Sequence, residues 1–121
     1  MNFEAAKALC RTFPGCTEDV KWGADAVFSV GTKMFAVTNH EVPAKGMSFK
    51  VDDDRFLELT DRPGIIPAPY LARAKWVYVE KASALSDKEA AALLRRSYEL
   101  VFAKLTKKLQ REIEAMRGDG A

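Results

Sequence analysis

Glycines at Gly23, Gly31 and Gly46 cut the first half of this 121-residue chain into short stretches, and that spacing constrains the fold more than any other feature. Residues 20–22, 26–30, 34–38 and 47–51 carry Val, Trp, Phe, Met and Thr between the glycine-containing turns. Short runs rich in β-branched and aromatic residues, joined by tight turns, read as an antiparallel meander. Residues 75–80 (Lys75, Trp76, Val77, Tyr78, Val79, Glu80) alternate in type and supply a further strand of the same sheet.

Helical signals flank these strands. Asn2 stands at an N-cap position, and Phe3, Ala6, Leu9, Cys10 and Phe13 recur at helical spacing until Pro14-Gly15. Asp52, Asp53 and Asp54 offer capping oxygens and first-turn negative charge to a short helix carrying Phe56, Leu57 and Leu59. Ser86 and Glu89 have capping-box spacing, and a long helix is expected from there to about Ile113 or Met116. Its apolar stripe is Leu94, Tyr98, Val101, Leu105 and Leu109. The order α, β-meander, short α, β, α predicts an α+β fold, an antiparallel β-meander sheet packed against N- and C-terminal helices. One domain over residues 1–117 with a frayed tail at 118–121 is expected.

Composition excludes rather than identifies. With 48% hydrophobic and 30% charged residues and a formal net charge of +2, the chain is neither disordered by composition nor strongly basic. Charge in the first residues speaks against a signal peptide, and no apolar run spans a bilayer, so a cytoplasmic protein with no membrane partner is expected. Cys10 and Cys16 match no zinc spacing and are expected as reduced thiols. The only histidine, His40, stands near a turn with no motif-placed Ser or Cys, so no catalytic residue is assigned and a non-enzymatic protein is expected. Asp52 to Asp54 lack the spacing of a calcium loop, and neither a metal site nor a cofactor is expected.

The segment from Gly64 to Val77 is the most distinctive connector, packing Pro67, Pro69, Tyr70, Arg73, Lys75 and Trp76 together. Its prolines push Ile66 and Ala68 to extended backbone and hold the path rigid. Trp22, Tyr70 and Trp76 are candidates for stacking on bases or capping a pocket at a defined concave site, although strand tryptophans commonly serve the core. Lys50, Arg73 and Lys75 are candidates for holding phosphate or carboxylate. Lys104, Lys107, Lys108 and Arg111 step by i, i+3, i+4 and i+7, which on one helix makes a cationic strip. Such a strip either solubilises the helix and complements its C-terminus or tracks phosphates.

Several blocks together carry a family resemblance: Phe13-Pro14-Gly15 with Glu18-Asp19, Trp22-Gly23, Gly31-Thr32-Lys33-Met34-Phe35 and Ser48-Phe49-Lys50-Val51-Asp52. Pro67-Ala68-Pro69-Tyr70 to Lys75-Trp76-Val77, and Ser97-Tyr98-Glu99-Leu100-Val101 with Lys104-Leu105, complete the set. Their order and spacing, from about Phe3 to Lys108, resemble the MmcQ/YjbR-like family. The resemblance implies a meander sheet flanked by helices, a frataxin-like architecture, and DNA binding. Two positions depart from the family pattern: Lys75 replaces a histidine before the tryptophan, and Thr106 replaces a proline after the last Lys-Leu. Iron binding is not expected, because the first helix sets Glu4 beside Lys7 and Arg11 instead of a ridge of oxygen ligands. The leading expectation is a non-enzymatic DNA-binding domain using a cationic surface. The alternative is a module binding a protein or a small anionic ligand at the Tyr70 to Trp76 connector.

Overall fold

The computed structural model describes residues 1–39 and 44–120, with side chains as far as Met116. His40 and residues 41–43 lie outside the described residues. Helix α1 (Phe3–Thr12) begins where the side chain of Asn2 accepts the Ala5 N–H at 2.9 Å. After the Pro14-Gly15 turn the chain forms β1 (Cys16–Lys21), β2 (Asp25–Val30), β3 (Lys33–Asn39) and β4 (Met47–Lys50). Helix α2 (Asp53–Thr60) leads to a short strand β5 (Ile65–Pro67), then β6 (Trp76–Val79), α3 (Asp87–Phe102) and α4 (Lys107–Gly120). The six strands form one antiparallel sheet in the order β1-β2-β3-β4-β6-β5.

Period-two alternation divides the side chains between two faces. Phe28, Val30, Met47, Phe49, Val77 and Val79 point to the helix side and are essentially inaccessible. Leu94, Tyr98 and Val101 of α3 pack on them, with Cys10 and Phe13 from the α1 region. Burying each such phenylalanine contributes roughly 1.5–3 kcal/mol. Around Tyr98 the rings of Phe13, Phe35 and Phe102 gather at centroid distances of 5.1, 5.5 and 5.9 Å, and the Tyr98 hydroxyl donates to the Pro14 carbonyl at 2.6 Å.

Several elements differ from the sequence reading: β1 starts at Cys16, before the expected Val20, α4 runs to Gly120 where the sequence predicts a frayed tail from residue 118, and two further differences shape the site. First, Ile65–Pro67 inside the proline-rich connector is an edge strand, because a single extended segment can pair along β6 while its proline points no donor outward. Second, the long C-terminal helix is broken at residues 103–106. Thr106 accepts the Leu109 N–H at 3.2 Å and so starts α4, while the Gln110 amide donates to the carbonyls of Phe102 and Leu105, each at 3.1 Å, closing the end of α3. The break lets α4 turn across the β2–β3 hairpin. Gly31 there has φ of 63°, and a side chain at that point would meet Leu109 and Leu105 at 2.8 and 2.9 Å.

Asp52 also departs from its expected part. It occupies the N-cap position of α2 but makes no side-chain cap. Its carboxylate instead accepts two hydrogen bonds from Arg96, both 2.9 Å, tying α3 to the end of β4. The capping box of α3 is present, with Glu89 N–H on the Ser86 hydroxyl at 3.1 Å.

Candidate functional site

The strand registers bring the β2–β3 hairpin with Lys33, the end of β4 with Lys50, and the start of β6 after Lys75 to the same end of the sheet. The α3–α4 junction, carrying Lys104, closes over this end. Lys50 lies at its centre. Its ammonium donates to the Ala74 carbonyl, and its pKa lies below the ordinary lysine value. Burial is the first cause, and repulsion from Lys104 and Lys75 adds to it while Asp53 acts in the opposite direction. Lys75 has φ of 63° and sets its ammonium 5.1 Å from the centre of the Phe56 ring.

Lysines from three separate elements thus converge, and among the described residues none of Lys50, Lys75, Lys104, Lys107 or Lys108 lies within ion-pair distance of a carboxylate. Four arginines behave differently. Arg11 is paired with Glu18, Arg55 and Arg62 with Glu58, and Arg96 with Asp52.

The strip expected on one helix is therefore corrected. Lys104 sits in the junction and approaches Lys50, whereas Lys107 and Lys108 occupy the first turn of α4, which contains no acidic residue. The helix field there is positive, so these lysines do not complement a helix C-terminus. Arg111 follows one turn later and is exposed, opposite the stripe formed by Leu109 and Ile113. Arg73 is exposed in the 3-10 turn Ala72–Ala74 beside the carbonyl that receives Lys50.

The aromatic candidates do not form one patch. Trp76 is 4% exposed and belongs to the sheet, at the lysine end. Trp22 is 69% exposed on the β1–β2 turn, at the opposite end of the sheet and near its far edge. Tyr70 is fully exposed. Trp22 and Tyr70 both adopt positive φ, 52° and 67°, an uncommon backbone for a bulky residue. The connector therefore does not gather Tyr70, Arg73 and Trp76 into a concave site: the register of β6 draws Trp76 inward while the left-handed turn at Tyr70 throws its ring out.

A residue that pattern reading passed over holds the lysine end together. Ser97 is fully buried; its hydroxyl donates to the Phe35 carbonyl at 2.7 Å and accepts the Lys50 N–H at 3.0 Å. Phe35 is the extra residue of a bulge between β2 and β3. The signal was a serine at i+3 from Leu94 and i+4 before Val101, a polar group on the core face of a helix. In α1, the Glu4 carboxylate accepts the Ala44 N–H at 3.0 Å and pairs with Lys7 at 3.3 Å. Among the described residues no group of three or more His, Cys, Asp or Glu could hold a metal ion, and no helix is long and apolar enough to cross a membrane.

A sheet with helices on one face and a lysine-lined end defines an α+β domain of the meander type. The sequence pattern of the YjbR family matches residues 11–100, and the chain belongs to that family. It is similar in structure to Deinococcus radiodurans protein DR2400, which has a DUF419 domain: TM-score 0.79, 28% identity, 93% of this chain and 88% of the other. A Pseudomonas syringae protein shares the fold with TM-score 0.68 and 21% identity, over 84% of this chain and 99% of the other. No curated protein matches the sequence.

Proposed function

We propose that this chain is a non-enzymatic domain that binds duplex DNA through its phosphates at the lysine end of the sheet. The observation that carries the reading is the convergence of Lys50, Lys75 and Lys104 without a carboxylate partner, next to a helix start that bears Lys107 and Lys108. Like charges held together repel, and a polyanion relieves that repulsion while releasing its own counterions. Arg73 and Arg111 extend the surface on either side.

Fluorescence anisotropy with labelled duplex at several salt concentrations tests it. Five phosphate contacts, one for each of Lys50, Lys75, Lys104, Lys107 and Lys108, give a slope of log K against log salt of roughly −4 to −5, and Lys107→Gln with Lys108→Gln reduces its magnitude by about 2. Affinity falls alike for unrelated sequences, because phosphates carry little base information. Absence of salt-dependent binding by the wild type, or an unchanged slope in a folded double variant, rules the reading out. The second reading, a module binding a protein or a small anionic ligand at the connector, is favoured by the fully exposed Tyr70 in left-handed backbone. Tyr70→Ala leaves DNA affinity intact under the first reading and abolishes ligand capture under the second.

A further inference from the structure

The sheet has two edges, and they are built differently. At β5 the Ile65 N–H is bonded to the Arg62 carbonyl at 3.2 Å and Pro67 has no N–H, so this edge offers a pairing chain almost nothing. At β1, six residues long, five of the six are exposed, and the strand ends at Lys21, with the exposed Trp22 following in the turn. Val20 lies across from Ala26, a core residue, yet is itself 52% exposed, so the core face of the sheet runs out to this edge uncovered.

Charges on an edge strand ordinarily repel a second strand. Here they do not form a uniform barrier. Glu18 is held by Arg11 through two hydrogen bonds of 2.7 and 3.0 Å, whereas Asp19 and Lys21 share the opposite face of the strand and form no ion pair among the described residues. Only alternate residues of an edge direct N–H and C=O outward, so two copies related by a two-fold axis must pair residues of equal parity. Centring the pair on Glu18 or Asp19 puts two carboxylates face to face, and centring it on Lys21 opposes two ammoniums. Centring it on Val20 sets Val20 against its counterpart, and Asp19 of each copy against Lys21 of the other. Lys21 already lies across from Asp25 in its own chain, so in that register it stands between two carboxylates.

We infer that β1 is a self-pairing edge and that its partner is a second copy of this chain, joined antiparallel about Val20 into one continuous sheet. The surface lies outside the lysine end, so this inference stands or falls separately from DNA binding.

Sedimentation equilibrium of the full chain up to about 1 mM, where weak pairing becomes visible, gives the dimer constant. Asp19→Lys and Lys21→Asp, each alone, weaken dimerisation by at least about tenfold through like charges at the seam, and the double exchange restores it. Mixing the two single variants yields a heterodimer, since the all-cationic edge of one faces the all-anionic edge of the other. Because both positions are exposed, circular dichroism of each variant matches the wild type. A wild type that stays monomeric, single variants that dimerise as the wild type does, or a mixture that fails to associate overturns the inference.

Discussion

Replacing Ser97 with alanine deletes one oxygen and is expected to cost about 2–4 kcal/mol, because the buried Phe35 carbonyl and the partly buried Lys50 N–H lose their partner at once. The bulge at Phe35 stops the β3–β4 ladder one step short of Lys50, the last registered pair being Ala36 with Phe49. The Ser97 hydroxyl stands where the next rung would be, taking the Lys50 N–H and donating to the Phe35 carbonyl. Each buried group left unsatisfied costs about 1–3 kcal/mol, and the gap left by one oxygen is too small to admit a stable water. Closing the rung directly would require the bulge and the α3 packing to move together. Urea unfolding reads the effect as a lower midpoint with unchanged slope. Because the hydroxyl also sets the backbone of Lys50, the proposed DNA binding predicts that affinity of the folded variant falls with stability. A loss below about 0.5 kcal/mol, within the range of ordinary surface substitutions, refutes the reasoning.

Two further expectations follow from charge and burial. The Arg96 guanidinium beside Asp52 holds that carboxyl below its usual range, so the pair's stabilisation is fully present above the unfolded carboxylate pKa and is lost as pH falls through the depressed folded value. Urea midpoints of wild type and Asp52→Asn therefore differ at neutral pH and converge in acid; a constant gap would show that the ion pair is not its source. Burial pushes the Cys10 thiol up to about 12 and the Cys16 thiol to about 11, with Glu18 adding to the latter. Iodoacetamide at neutral pH should label even Cys16 about a hundredfold more slowly in the native than in the unfolded chain. Equal rates would contradict the burial.

Local chemistry in the sequence determined where elements begin and what they bury. Asn2, the Ser86–Glu89 box and the glycine-spaced strands are read within four or five residues of themselves, so chain order alone displays them. The cationic residues were legible as residue types, and so was the core stripe from Leu94 to Leu109. Only tertiary structure decided which charges meet. Lys50, Lys75 and Lys104 become neighbours because β4 and β6 pair in one register and because Thr106 and Gln110 turn the chain out of α3. The same register buries Trp76, while the positive-φ turns at Trp22 and Tyr70 expose their rings. Helical spacing suggested a strip from Lys104 to Arg111, but a side-chain cap competing with helix propagation divided it. Pairing and packing act between residues far apart in the chain, and no local pattern carries that information.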